Sequence, residues 1–263
     1  MTNRKWTKSD VFLVAVYWIF ILYLFVPIVT MVVMSFKDGN IVGFPIEAWT
    51  TRWYSKFVQD RAIVRSIVIS CTVAISSTLI ALVIGTWMGA WLTYSRSRAN
   101  ALLFLLMCLP TVMPGIVSAI AMRLYLHQLA LPTGVIAMIL GHAIHSVPFV
   151  AVMVLTRLRS MPESLTEAAR DLGANRITAF RLVTVPYLAP ALVGAAMLCI
   201  LLSFDDFLRS FFLGGYDPTF PVLVFARLTS GLSPEITAAS SSVLISALLL
   251  AVVAERTLRL MRN

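Results

Sequence analysis

The most informative segment of this chain spans residues 157–190 and reads RLRSMPESLTEAARDLGANRITAFRLVTVPYLAP. It is the longest polar interruption in the second half of a very apolar sequence. Residues 163–172 are predicted to form a short helix, because Pro162 suits the first helical position and Gly173 supplies a left-handed stop. Four residues form an apolar stripe along it: Leu165, Ala168, Ala169 and Leu172. A narrow apolar stripe on an otherwise charged helix favours docking into a groove of another protein.

The composition excludes an ordinary soluble domain, since 59% of the 263 residues are hydrophobic and 13% are charged. The net charge of +9 would favour nucleic acid if the basic residues clustered on a soluble face, which they do not. Roughly 20 apolar residues are needed to cross a bilayer core. Six spans of this kind are predicted, at residues 11–36, 66–95, 99–126, 135–156, 182–207 and 236–254. They predict an all-α membrane protein with one transmembrane domain over residues 1–263.

The positions of Lys and Arg predict the orientation of these spans. Basic residues concentrate in the loops on the cytoplasmic side of membrane proteins. Thirteen of the 21 basic residues fall at the termini and in the second and fourth loops: Arg4, Lys5, Lys8, Arg96, Arg98, Arg157, Arg159, Arg170, Arg176, Arg181, Arg256, Arg259 and Arg262. We therefore expect both termini and the loop 157–181 to be cytoplasmic. The first apolar run is too long for a cleaved signal peptide.

A longer pattern surrounds the predicted helix. It comprises Glu167-Ala168-Ala169, Gly173-Ala174, Phe180, Val183, Pro186 and Pro190. This pattern resembles the EAA loop of ATP-binding cassette (ABC) importer permeases, in which the loop forms a coupling helix that sits in a cleft of the ATP-hydrolysing subunit. The alternative is an amphipathic helix lying on the membrane surface. The resemblance implies that the following residues couple to an ATPase: Glu163, Leu165, Glu167, Ala168, Ala169, Asp171, Leu172, Gly173 and Ala174.

The resemblance also implies the fold and the location. The chain is expected to have the type I ABC importer permease fold, with six transmembrane helices and cytoplasmic termini, as a multi-pass protein of the bacterial inner membrane. Expected partners are two ATP-binding subunits, a second and similar permease, an extracytoplasmic solute-binding protein and membrane lipid, without nucleic acid. ATP and Mg²⁺ would be bound by the partner ATPase, so no cofactor is expected in this chain.

Several features point to a solute pathway. Pro110 and Pro114 are expected to break the third span, and irregular backbone at that depth usually faces protein or a watery cavity. Arg123 follows in the same span, where it either faces the pathway or extends to the membrane surface. Asp205 and Asp206 end the fifth span, and paired carboxylates there usually face water, a partner or a solute.

The polyamine-type ABC permeases carry a similar element, which implies that the two aspartates contact a cationic solute. The alternative is that these carboxylates are interface charges that balance Arg209. In the same permeases an acidic residue often stands where this chain has Gly115, and its absence, together with Arg123 and Arg209, favours a solute with an anionic group. The predicted pathway residues are therefore Asp205, Asp206, Arg123, Arg209 and Pro114.

Small and polar residues within the spans predict helix packing. Gly85 and Gly89 lie four residues apart, which lets helices approach closely, most simply within this chain. His142 and His145 are three residues apart and could bind a metal, but no carboxylate or thiol lies near them in the sequence. We expect them to form hydrogen bonds between helices, and we expect no metal site.

The predicted function is that of the permease subunit of an ATP-driven importer, most simply for a polyamine such as spermidine or putrescine. The chain itself is not expected to be an enzyme or to have catalytic residues, because it lacks a phosphate-binding loop. Zwitterionic or anionic solutes are the alternative: an opine, a compound like 4-aminobutyrate, or an aminoalkyl phosphonate. A secondary transporter, a membrane-embedded enzyme and a scaffold protein explain fewer of these features.

Overall fold

A computed structural model describes residues 8–39, 42–95, 97–231 and 233–262. Throughout this part of the chain the regular structure is helical and no β-strand forms, so the all-α prediction is confirmed. Three of the basic residues used to predict the orientation lie outside the described residues: Arg4, Lys5 and Arg96. The cytoplasmic location of the termini stays a prediction.

The helices are, in chain order, α1 Lys8–Met34, α2 Arg52–Gln59, α3 Arg61–Tyr94, α4 Asn100–Val112, α5 Gly115–Gln128, α6 Val135–Arg159, α7 Glu163–Asp171, α8 Arg176–Ala179, α9 Val185–Phe204, α10 Phe207–Leu213, α11 Phe220–Thr229 and α12 Pro234–Arg262. A π-helical segment, Phe180–Thr184, joins α8 to α9. Among the described residues, five helices are long and apolar enough to cross a membrane, and the bent pair α4 and α5 makes a sixth if it forms one span.

The chain divides into two compact units. One consists of Met1–Arg61 and Ala226–Ser246, and the other of Ala62–Phe225 and Ala247–Asn263. The prediction of a single permease domain over residues 1–263 stays a prediction. The candidate functional residues all belong to the second unit.

In the first unit, the segment that follows α1 folds back onto the end of that helix. The Trp53 side chain, in α2, is 3% exposed, and its Nε1 donates a hydrogen bond of 2.8 Å to the carbonyl oxygen of Lys37. A second hydrogen bond, of 2.7 Å, joins the hydroxyls of Ser35 and Tyr54. These bonds anchor α2 to the end of α1, because a buried indole N–H and a buried hydroxyl both need partners.

The core of the second unit forms around α6. Its buried residues Val150 and Val154 belong to one apolar cluster with Leu188 and Cys199 of α9. Helix α3 approaches α6 closely at Gly85, where an added Cβ would lie 2.6 Å from the Val150 Cβ. The prediction of close helix packing within the chain is therefore confirmed.

The third predicted span is broken, as its prolines indicated. Helices α4 and α5 meet at an angle of 104°. Pro114 precedes α5 with a ψ angle of 133°, which is incompatible with a continuous helix, and Pro110 lies inside α4. The bend places α5 beside α6 and α10, and this group of helices surrounds the cavity described below.

Candidate functional site

Helix α7 forms where the sequence predicts a docking helix, with two corrections at its ends. Pro162 is not the first helical residue: its φ and ψ angles of −61° and 130° are extended, and it precedes the helix. Leu172 likewise follows the last helical residue, Asp171. Proline lacks a backbone N–H, and none is required at this boundary, so the position just outside the helix suits it equally well.

Gly173 ends α7 in a Schellman arrangement. Its φ angle is +84°, in the left-handed region. The N–H of Gly173 donates to the carbonyl oxygen of Arg170 at 2.8 Å, and the N–H of Ala174 donates to that of Ala169 at 3.0 Å. These are the two hydrogen bonds that define the motif, and they satisfy carbonyl groups that a helix end would otherwise leave unpaired.

The apolar stripe of α7 faces outward. No described residue of this helix is buried in the chain. Leu172 is 89% exposed and Leu165 is 42% exposed. The nine predicted coupling residues therefore lie together on one short helix and its stop, as an outward-facing surface. Exposed leucines on a charged helix are what a groove on a partner protein can bury.

Tyr187, in α9, ties the segment before α7 to the core. Its hydroxyl donates to the carbonyl oxygen of Ser160 at 3.0 Å, and its carbonyl oxygen accepts the Nε hydrogen of Arg157 at 3.0 Å. The Arg157 guanidinium carbon also lies 4.0 Å from the centre of the Tyr187 ring, as a cation–π contact. Helix α7 is thus exposed, whereas the segment just before it is held to α9 by these contacts.

A second candidate site is a cavity of about 320 Å³ within the broken region of the helix bundle. Its lining comes from α4, α5, α6 and α10, with Met113 between α4 and α5. Most of its surface is apolar, and the lining side chains that carry polar groups are Ser118, Tyr125, His145 and Arg209. Cavities of this kind, with a few polar groups in an apolar wall, are typical of small-molecule sites.

Arg209 is the centre of the polar groups at this cavity. Its guanidinium forms an ion pair with Asp206 through Nη1 and Oδ2. Its Nη2 contacts His145 Nδ1 at 3.0 Å and Ser118 Oγ at 3.3 Å. Because a guanidinium only donates hydrogen bonds, His145 Nδ1 is the acceptor and carries no proton.

Of the five predicted pathway residues, the structure joins two in an ion pair and places the other three separately. Asp206 and Arg209 are brought together, which agrees with the alternative that an aspartate of this pair balances Arg209. Asp205 is exposed, and it ends α9 immediately before Asp206. Pro114 sits at the α4–α5 break. Arg123 lies elsewhere, lining another cavity of about 330 Å³ and donating a hydrogen bond of 2.6 Å to the carbonyl oxygen of Phe212.

A buried network of hydroxyl and imidazole groups near the site was not predicted from the sequence. His142 Nδ1 lies 2.7 Å from the Ser203 hydroxyl, which is 3.2 Å from the Ser77 hydroxyl, and His142 Nε2 lies 3.3 Å from the Ser210 hydroxyl. The prediction that the histidines form hydrogen bonds between helices is confirmed. The described residues contain no cluster of three or more His, Cys, Asp or Glu able to hold a metal ion.

Comparisons with known proteins agree on one family. Residues 81–262 match the model of the "Binding-protein-dependent transport system inner membrane component" family. The putrescine transport system permease protein PotI of Escherichia coli K12 is 28% identical over 230 residues, covering 84% of this chain and 82% of PotI. The spermidine/putrescine transport system permease protein PotC of the same strain is 28% identical over 236 residues, covering 89% and 88% of the two chains.

Two solved structures share the fold. A chain of the MetNI methionine ABC transporter, in an inward-facing conformation, aligns with a TM-score of 0.64 and 22% identity, covering 76% of this chain and 95% of that one. A chain of a bacterial ABC transporter involved in the import of the acidic polysaccharide alginate aligns with a TM-score of 0.69 and 17% identity, covering 98% and 99%. These similarities establish the fold alone.

The all-helical fold and the family match define a permease subunit of the type I ABC importers, which is a transport subunit and not an enzyme. The chain belongs to the family of binding-protein-dependent transport system inner membrane components. It is a multi-pass protein of the bacterial inner membrane, and its family implies an ATPase and a solute-binding protein as partners.

Proposed function

We propose that this chain, paired with a second permease, forms the membrane pathway of an importer for a polyamine. The observation that carries the proposal is the similarity to PotI and PotC over 84% and 89% of the chain, since both are named as polyamine permeases. The exposed Asp205 carboxylate supports a cationic solute, because a carboxylate within the membrane region is retained where it serves a partner or a pathway.

Helix α7 is the proposed site of coupling to ATP hydrolysis. Two ATP-binding subunits would bind ATP and Mg²⁺, one contacting α7 of this chain and the other the equivalent helix of the second permease. Leu165 and Leu172 would be buried in the ATPase groove. Because Tyr187 ties the base of the α7 segment to α9, movement of α7 would be passed to the span that ends at Asp205.

A second candidate solute class is favoured by one observation. Arg209 and His145 supply polar groups to the cavity, and no carboxylate is among the described residues that line it. A guanidinium in an apolar wall suits a carboxylate or phosphonate group. A zwitterion such as 4-aminobutyrate, an opine or an aminoalkyl phosphonate is therefore the alternative to a polyamine.

Uptake by intact cells tests the proposal. Cells in which this gene alone is deleted, with the rest of its operon intact, would be given labelled putrescine, spermidine, 4-aminobutyrate and 2-aminoethylphosphonate in separate assays. We expect putrescine or spermidine uptake to be lost and to return when the gene is supplied in trans. Loss restricted to 4-aminobutyrate or the phosphonate would replace the polyamine by the second class. A deletion that leaves all four rates unchanged would reject the polyamines and the two zwitterions assayed.

A further inference from the structure

Arg209 stands between the cavity and the carboxylate of Asp206. The Arg209 side chain lines the cavity, whereas Asp206 is absent from the described residues that do so. Both side chains of this ion pair are 10% exposed. A solute in the cavity therefore meets the guanidinium before it reaches the carboxylate.

The hydrogen bonds of Asp206 and Arg209 would allow the contact between Nη1 and Oδ2 to be replaced while the other contacts remain. Asp206 Oδ1 accepts a hydrogen bond of 3.0 Å from the backbone N–H of Arg209, which holds the carboxylate in place. The Oδ2 atom is bound by the guanidinium at the end of the Arg209 side chain. The guanidinium has two further partners through Nη2, Ser118 and His145, so it could leave Oδ2 and still donate hydrogen bonds.

The Arg209 side chain is chemically similar to the end of a polyamine. Arg209 carries its cationic group on three methylene carbons, and putrescine carries its two ammonium groups on a chain of four. The rest of the cavity wall is mostly apolar, including Leu106, Leu109 and Met113. A second cation beside Arg209 would be repelled, and burying it without a carboxylate would be costly. In the arrangement observed, the cavity therefore disfavours cations.

We propose that Arg209 is a resident counterion that the solute displaces. An ammonium group of the solute takes the place of Nη1 at Asp206 Oδ2, while Arg209 turns to keep its hydrogen bonds with Ser118 and His145. Solutes without a cationic group cannot make this exchange, so the Asp206–Arg209 pair selects for cations. The inference rests on the proposed polyamine function and assigns the specificity of the pathway to this pair.

Binding to the assembled complex tests the exchange. The importer, with its second permease and ATPase subunits, would be purified in lipid nanodiscs without the solute-binding protein, and labelled putrescine would be titrated at equilibrium. Arg209→Gln removes the competing cation, and we expect putrescine to bind about tenfold more tightly, the factor of one charge-assisted hydrogen bond. Asp206→Asn should weaken binding by a similar factor. Arg209→Gln binding no more tightly than the unmodified complex would overturn the proposal.

A double variant separates exchange from a purely structural ion pair. Asp206→Asn combined with Arg209→Gln leaves no unpaired buried charge, so the complex should assemble even if Arg209→Gln alone does not. With the solute-binding protein added and the complex in vesicles, exchange predicts that the double variant loses putrescine uptake. A structural role predicts that it retains uptake, and that result would overturn the proposal whatever the binding titration gives.

An exposed ion pair provides the matched control. Arg65 and Asp217 are 2.7 Å apart, and their side chains are 71% and 30% exposed. Arg65→Gln removes an arginine from an Arg–Asp pair outside the cavity, so we expect uptake close to that of the unmodified complex. Failure of the unmodified complex to import any polyamine would reject the proposed function itself. Import by that complex together with unchanged binding by Arg209→Gln would reject the exchange alone.

Discussion

Gly173 is the residue on which the geometry of α7 depends most directly. Its φ angle is +84°, and an added Cβ would meet nothing within 4 Å. A larger side chain therefore has enough space, and its penalty comes from the backbone, about 1–2 kcal/mol for an ordinary L-residue in this region. We expect Gly173→Val to shift the helix stop, so that ATP hydrolysis continues while uptake falls severalfold. Parallel assays of ATP hydrolysis and uptake in vesicles measure this.

Asparagine supplies the control at the same position. Asn adopts the left-handed conformation more readily than a β-branched residue, so Gly173→Asn should keep most of the uptake. If the valine and asparagine variants lose uptake equally, the conformation at residue 173 is not the cause.

Gly85 makes a different prediction, because its surroundings are crowded. An added Cβ would lie 2.6 Å from Val150 Cβ and 2.9 Å from the Val147 carbonyl oxygen, so α3 and α6 would have to separate. We expect Gly85→Ala to destabilise the protein by about 1–3 kcal/mol, as overpacking does. At Gly194 the nearest atom would be the flexible Met153 Cε at 3.4 Å, so Gly194→Ala should be tolerated. Thermal unfolding of the two purified variants compares them, and equal midpoints would contradict the close approach of α3 and α6.

The sequence predicted single residues well where their role is local. Gly173 could be recognised because a helix stop needs a residue that tolerates positive φ. The hydrogen bond between Arg209 and His145 could not, since the two residues are 64 positions apart and only the packing of α10 against α6 brings them together. The pairing of Arg209 with an aspartate was one of the alternatives that the sequence left open.

At the scale of helices, the break between α4 and α5 gives the next prediction. Pro114 holds an extended ψ angle of 133° between the two helices. Pro114→Ala removes the ring that disfavours a helical conformation in the preceding residue, so we expect the 104° bend to straighten in part. The cavity would then change shape, and uptake would fall. Spin labels on α4 and α5 would measure the change in distance, and an unchanged distance would show that neighbouring helices impose the bend.

Helix α7 and the start of α6 were predicted closely, since proline and glycine mark their boundaries. Helices α10 and α11 were not predicted. They are seven and ten residues long, and the intervening Gly-Gly-Tyr-Asp-Pro segment resembles a simple loop in sequence. Their helical form depends on packing, which includes a ring contact of 5.0 Å between Phe207 and Phe225. Tertiary contacts of this kind leave little trace in local sequence periodicity.

At the scale of the whole molecule, the orientation in the membrane can be tested at two exposed positions. Leu172 is 89% exposed and Tyr216 is 103% exposed. In a background without Cys71, Cys108 and Cys199, a membrane-impermeant maleimide should label Tyr216→Cys in intact cells. It should label Leu172→Cys only in inside-out vesicles. The reverse labelling pattern would show that the topology is opposite to the predicted one and that α7 does not lie on the side of the membrane where the ATPase is.

The class of the molecule was predictable from the sequence because it depends on composition over long segments. Long apolar runs indicated the spans, and the two prolines indicated the broken one. The cavity was not predictable, because helices α4, α5, α6 and α10 each contribute a few residues to its wall. In the proposed function this cavity receives the solute, and because its wall forms only in the folded chain, the sequence left the solute class open.

The π-helical segment Phe180–Thr184 has a consequence for how this loop can change in evolution. Each residue of a helix advances its direction by about 100°, and a π turn accommodates one extra residue. Deleting one residue from this segment would restore an ordinary helix and leave α7 in nearly the same direction, because the π turn already absorbs the extra residue. A one-residue deletion is therefore easier to accommodate here than inside α9, where it would turn one end of the helix by about 100° relative to the other. Homologous chains should vary by one residue in the spacing between Gly173 and Pro186 more readily than in the length of α9.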